Sequence, residues 1–363
     1  MARAWLLYAR PMRLHWLAPF LLVTALESCG GAEVTGTKAI NLVGPGIMNN
    51  PANKSLRFDL LQFGLERFCF EMTSRGVPLK TRDDEPVIGR FFATGCQSRS
   101  LDEYERKSLV VQFTGKGYVW TNLTGRVGFE SQGVVEYAPD FLMQEETLYV
   151  YFRPQRVDAI SFKTTLVESF IAQGGIAITG TDPNQIGREI VTSQLRRGFT
   201  VIRLDETGEM QFGLGYVPRG RHPFQPFRVA SESRVTLAND RTVVHPGQQD
   251  YIGGFKVEES GQALYMTVKM DGTDSIDVLL VPKAQGDVMI QGYVTNPGPA
   301  IPTSPPRLLE PLGSGVLWQR YVPVSPGDYF VVLDHSAAIV PSAPGAQALP
   351  AKVDYAIQLG STP

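Results

Sequence analysis

Val110-Val111-Gln112-Phe113, Tyr118-Val119-Trp120, Val127-Gly128-Phe129, Val134-Val135-Glu136-Tyr137 and Leu148-Tyr149-Val150-Tyr151-Phe152 follow one another in close succession. Each run is short, rich in β-branched or aromatic residues and closed off by turn formers, which predicts an antiparallel meander. Ile88 to Thr94 reads as a strand ahead of them, and the charged stretch 100–107 as a solvated loop or helical turn. Ala159 to Ile171 fits two patterns. Ile160-Ser161-Phe162-Lys163 alternates, while Leu166, Phe170 and Ile171 share a helical face.

Two helices flank this meander. Over Ser55–Arg75, Phe58, Leu61, Leu65, Phe68, Cys69 and Met72 recur at three- and four-residue steps. Ser55 caps the start, and Arg75-Gly76 with Pro78 beyond supplies the stop. A second helix has Asp182 as cap and Pro183 in its first position. Its stripe is Ile186, Ile190, Val191 and Leu195, and it closes on Arg196-Arg197-Gly198. Phe199–Leu204 and Met210–Leu214 then form a hairpin. Residues 55–218 are therefore expected to be an α+β domain, two helices on a mainly antiparallel sheet.

Beyond it the helical period disappears. Tyr216 to Arg228 is rich in Pro, Gly and Arg, and residues 219–245 read as a linker. Strands are predicted at Gly254–Val257, Ala263–Val268, Ile276–Val281, Val288–Val294, Val316–Val322, Tyr329–Leu333 and Val353–Leu359. The proline-rich stretch 295–312 reads as a long loop. That spacing predicts an all-β sandwich over 246–363, jelly-roll-like in size. At 363 residues the chain is too long for one ordinary domain and suits two.

The N-terminus has a different character. Arg3, Arg10 and Arg13 lead into an apolar run from Leu14 to Leu26, too short to span a bilayer and interrupted by Pro19. It ends in Leu26-Glu27-Ser28-Cys29, which resembles the lipobox of bacterial lipoproteins. The resemblance implies a signal peptide over 1–28 and lipidation of Cys29. With Gly30 and Gly31 after the cut rather than aspartate, it implies delivery to the outer membrane, at its periplasmic face or the cell surface. Acyl chains contribute about 0.8 kcal/mol per buried CH₂ and suffice as an anchor. The polar, small-residue stretch 29–54 then reads as a flexible tether.

The sandwich carries a second resemblance. Pro246-Gly247-Gln248-Gln249-Asp250-Tyr251, Ala263 to Val268, Asp274 to Leu280, Pro326-Gly327-Asp328-Tyr329-Phe330-Val331-Val332 and Asp354-Tyr355-Ala356-Ile357 look like the bacterial pre-peptidase C-terminal domain. In that family the domain is an accessory module for secretion, surface retention or binding and is not catalytic. With Cys29 acylated, Cys69 and Cys96 remain. In an oxidising compartment they suggest a disulfide worth about 3 kcal/mol; two buried free thiols are the alternative.

Chemistry-bearing motifs are scarce. After His15 leaves with the signal, His222, His245 and His335 remain, and neither His-Glu-x-x-His nor Gly-x-Ser-x-Gly occurs. No catalytic residue is expected. The turn holding Asp271, Asp274 and Asp277 offers carboxylates for calcium, although a solvated hairpin turn entering a strand is the simpler reading. Tyr118, Trp120, Tyr149 and Tyr151 are candidates for lining an apolar ligand pocket, against ordinary core packing. A net charge of −2 gives no reason to expect nucleic acid. The expectation is a lipid-anchored envelope protein that binds or scaffolds at the outer membrane, its partners the membrane, other envelope proteins or polysaccharide. The alternative is a carrier of a lipid or other apolar ligand in the N-terminal domain.

Overall fold

The computed structural model describes residues 46–47, 49–53, 68–103, 106–122, 124–144, 147–168, 183–204, 210–229, 233–339 and 349–362. The leader, Cys29, most of the tether and the first helix before Phe68 lie outside them, as does the 169–182 stretch.

Alternation organises the first part of the chain. β1 (Val77–Leu79), β2 (Gly89–Glu103), β3 (Arg106–Thr121), β4 (Gly125–Gln144), β5 (Thr147–Glu168), β6 (Phe199–Leu204) and β7 (Met210–Leu214) pair in chain order as one antiparallel meander. The runs that read as separate short strands are segments of β3, β4 and β5, which are 16, 20 and 22 residues long. Within the charged stretch 100–107, residues 100–103 end β2 and residues 106–107 begin β3, and the ambiguous stretch from Ala159 continues β5 as far as Glu168. Register shifts at Gly128/Phe129, Gln132/Val134 and Glu136/Tyr137 bend these strands, so the sheet coils into a half-barrel.

Its concave face is filled by rings. Phe91 meets Phe113 edge-on at 5.6 Å, Phe129 stacks on Phe162 at 4.7 Å and Phe152 on Phe199 at 4.3 Å. α1 (Phe68–Ser74) and α2 (Pro183–Arg197) are minor additions to a mainly β chain. α2 has the bounds its punctuation predicts. Val191 is buried in the half-barrel's core, with Ile190 and Leu195 packed against it, and Gly198 closes the helix at φ 68°. Cys69 on α1 is bonded to Cys96 on β2. Among the described residues no helix is long and apolar enough to cross a membrane.

The second part is a β-sandwich. One sheet has the order β13-β10-β15-β8 and the other β12-β11-β14-β9, all pairs antiparallel. The strands are β8 (Arg234–Val244), β9 (Gln249–Val257), β10 (Gln262–Asp271), β11 (Ser275–Pro282), β12 (Leu308–Gly313), β13 (Leu317–Val324), β14 (Gly327–Asp334) and β15 (Ala351–Ser361). Leu264, Met266, Val268, Val278, Leu280, Val331 and Ile357 are among the residues that close the core between the sheets.

Three expectations need correction. The stretch read as a linker, 219–245, contains β8, an edge strand whose mixed polar sequence reflects partial cover on both faces. The proline-rich loop ends in strand β12. Val288–Val294 is not a strand but part of helix α3 (Lys283–Thr295). There Met289, Ile290, Tyr293 and Val294 bury one face at helical spacing, and Pro282 stands just before the first turn.

The two parts share one seam. Phe92 and Tyr118 from the half-barrel pack with Tyr251, Leu279, Val281, Phe330 and Val332 from the sandwich and with the buried face of α3. The chain around β1 meets two of the sandwich's four edge strands, β9 and β8. Gly76 N–H donates to Gly253 O at 2.9 Å on β9, and Val87 N–H donates to Arg241 O at 2.8 Å on β8. The approach is close enough that a Cβ on Gly128 would lie 2.1 Å from Val294 O.

Candidate functional site

The seam is also where charge is buried. β9 places Asp250 beside Arg90 of β2, with both guanidinium–carboxylate contacts at 2.7 Å. Tyr118 donates to the same carboxylate at 2.7 Å, and its oxygen accepts the Tyr251 N–H at 2.9 Å. Burial alone would push the Asp250 carboxyl up, but the Arg90 charge and hydrogen bonds outweigh it and hold it below its ordinary value. A second arginine, Arg126 of β4, donates to Glu168 at 3.1 Å and to the carbonyls of Asn296 and Gly298. Its guanidinium lies 3.7 Å from the centre of the Tyr293 ring. These groups tie the two parts together.

The residues proposed for an apolar pocket do not meet in one. Strand alternation turns Tyr118, Trp120, Tyr149 and Tyr151 away from the half-barrel's interior, where Val119 and Phe152 are buried. Tyr118 lies in the seam. Trp120 stacks on His245 at 3.3 Å. Tyr149 and Tyr151 pack with Ile202 and Val217, and the Tyr149 oxygen accepts the Gly220 N–H.

The proposed calcium ligands do not converge either. Asp271 and Asp274 are exposed on their turn, whereas Asp277 is buried within β11. Among the described residues no group of three His, Cys, Asp or Glu is placed to hold a metal. Each of the three described histidines makes a structural contact. His222 bonds Gln211, His245 stacks on Trp120, and His335 Nδ1 donates to Val244 O at 3.0 Å. Burial, with His335 nearby, pulls His245 down to about 4, so it is neutral at physiological pH.

The outer face of the sandwich is different. Cross-strand register places Tyr321 opposite Tyr265, then Gln358 and Thr236, in one row. The two tyrosine rings stack 5.9 Å apart, and the Arg234 guanidinium lies 3.6 Å from the Tyr265 ring centre. Arg234 reaches that ring across Gly360, where a Cβ would come within 2.8 Å of the Arg234 side chain. Tyr321 is 52% exposed, and Leu317 on the same face 53%. Gln319 and Thr267 form the next row. Alternation within β10 and β13 was the sequence signal for this face, and both tyrosines were read only as strand residues.

No family model matches the chain and no curated protein does. Solved structures give faint likenesses. The N-terminal CBM22-1-CBM22-2 tandem domain from Paenibacillus barcinonensis Xyn10C is 11% identical, over 79% of this chain and 98% of that one, with a TM-score of 0.22. Infectious bursal disease virus Gt strain is 11% identical over 78% and 75%, with a TM-score of 0.19. The VP2 subviral particle of that virus is 10% identical over 78% and 74%, with a TM-score of 0.18. At such TM-scores none of the three bears on function.

Proposed function

We propose that this chain is a lipid-anchored protein of the outer membrane that works by binding, with the outer face of its sandwich recognising an acidic envelope polysaccharide. The anchor is acylated Cys29, and the half-barrel is the rigid support to which the sandwich is locked. The observation that carries the reading is the exposed Arg234–Tyr265–Tyr321 stack. Sugar C–H faces suit aromatic rings, whose faces are electron-rich. Sugar hydroxyls suit the amide and hydroxyl groups of Gln319 and Thr267 beside them. Arg234 has no carboxylate partner among the described residues, so the surface favours a negative polymer. The accessory role of the pre-peptidase C-terminal domain, which the sandwich resembles, points the same way.

The reading is non-catalytic, and the three described histidines each make a structural contact. A carrier of apolar ligands would need a cavity inside the half-barrel, where among the described residues phenylalanine rings meet one another.

The test is binding of the purified protein to acidic and neutral envelope polysaccharides. Acidic polymer should bind more tightly, and Tyr321→Ala should weaken it about tenfold, the equivalent of one stacking contact of about 1.4 kcal/mol. Equal binding by wild type and variant would remove this face from consideration. Separately, Cys29→Ser should leave the membrane fraction; a variant that stays there would rule out the lipid anchor.

A further inference from the structure

The chain that leaves β7 is strapped along the outer side of the half-barrel. Gly215 turns it with φ at 77°. The buried Thr200 hydroxyl donates to Gly215 O at 2.7 Å and accepts the Val217 N–H at 3.0 Å. Val217 packs against Tyr149, Tyr151 and Ile202. Further along, the Tyr149 oxygen accepts the Gly220 N–H at 3.1 Å, and Arg219 Nε donates to Gln144 Oε1 at 2.6 Å. Tyr216 is thus held on both sides through one hydroxyl, yet 59% of it is exposed.

The Tyr216 ring lies 4.8 Å from that of Tyr151, which stacks on Tyr149 at 6.4 Å. The Arg153 guanidinium stands 5.5 Å from the Tyr216 ring centre and 5.9 Å from that of Tyr151. Arg153 is exposed and has no carboxylate partner among the described residues. These are the parts found on the sandwich's outer face: a guanidinium beside two tyrosine rings, the outer ring half-exposed. Register places Asp140 of β4 opposite Tyr151, its Oδ1 accepting the Phe141 N–H. A carboxylate so close to Arg153 disfavours a bare anion such as phosphate. A sugar unit offers hydroxyl donors as well as negative charge.

We infer that Arg153, Tyr151 and Tyr216 form a second sugar-binding subsite, on the half-barrel, for the acidic polysaccharide class proposed for the sandwich's outer face. The class of ligand rests on that reading; the place rests on the geometry around Tyr216. The exposed ring suits the C–H face of a sugar, and the planar guanidinium suits its carboxylate. Because Thr200 already orders the turn, binding there costs little conformational freedom. A membrane surface would ask for several exposed rings at one depth. Here Tyr149 and Tyr151 are buried, and of the three tyrosines Tyr216 alone is open to solvent.

The experiment is calorimetric titration of the purified full chain with a short uronic-acid oligosaccharide, its carboxyl-reduced form serving as the neutral control. Wild type is expected to bind two oligosaccharides per chain. Tyr216→Ala and Tyr321→Ala should each leave one site, the double variant none, and Tyr216→Phe, which keeps the ring, both. Carboxyl reduction should weaken binding at both sites about tenfold, the loss of one charge-assisted contact. A single site, lost in Tyr321→Ala and kept in Tyr216→Ala, would overturn the inference and leave the outer face standing. A single site, lost in Tyr216→Ala and kept in Tyr321→Ala, would support the half-barrel subsite and overturn the outer face. No binding by wild type would overturn both. Binding to anionic phospholipid vesicles that Tyr216→Ala abolishes, with oligosaccharide binding unchanged, would make the surface a membrane contact and overturn the inference.

Discussion

Asp250 and Asp334 lie one register step apart on neighbouring strands, buried to a similar degree, yet their surroundings are opposite. Asp250 faces Leu333 and is met by an arginine delivered from the half-barrel. Asp334 faces Gln249 and Asp277 across the sheet, and its polar neighbours are the neutral groups of Ser336 and Gln249. Burial penalises both charges. What differs is whether a distant part of the chain brings a counter-charge. The first carboxylate is therefore a structural lock held below its ordinary value, and the second is pushed up by its burial.

The largest effect should come from breaking the lock. Arg90→Met leaves Asp250 buried without its cation and should cost about 3–5 kcal/mol in denaturant unfolding. A loss under about 1 kcal/mol would mean that water reaches Asp250 and that the seam is not tightly closed. Next is the covalent tie. The Cys69–Cys96 bond fastens α1 to β2, the strand that carries Arg90. Replacing both cysteines with serine should cost about 3 kcal/mol, measured the same way. If Arg90→Met and the cysteine pair prove strictly additive, the bond and the lock act on separate structures rather than on one joint.

The pH dependences should then separate the two acids by sign. Asp250 is depressed in the folded protein, so its stabilisation is present at neutral pH and is lost as pH falls through its folded value. Asp334 is raised to about 6, so its environment favours folding at low pH, and that advantage is lost as pH rises through about 6. Difference curves of Asp250→Asn and Asp334→Asn against wild type should slope in opposite directions. Curves of the same sign would show that the two sites are alike after all. The smallest effect on stability is expected at the exposed face, where Tyr321→Ala should stay within about 0.5 kcal/mol. That makes it the control showing that lost binding there is not lost folding.

Legibility followed locality. Helix α2 was readable to its last residue because its start, stripe and stop lie within one short window from Asp182 to Gly198. The β character of both parts was readable from alternation. The long strands were read as fragments because Thr114-Gly115-Lys116-Gly117 looks like a turn. In the half-barrel those glycines let neighbouring strands and rings come close: a Cβ on Gly117 would lie 2.4 Å from Arg90 O. The short apolar run in α3 fits a strand or a helix equally, and only packing against the second sheet chose between them. Asp277 was noticed as part of an acidic turn, but Asp334 carried no signal. They are brought together by pairing of β11 with β14, strands separated in the chain by α3, β12 and β13.

By itself the sequence determined which stretches alternate, where α2 begins and ends, and, once Cys29 is set aside, that Cys69 and Cys96 are the available pair. Those are properties of neighbouring residues and of simple counting. Tertiary structure alone decided which face of each strand is covered, which tyrosines stay exposed, and which acid receives an arginine. Register between distant strands sets all three, and a strand's pattern states that it has two faces without naming what will lie against either one.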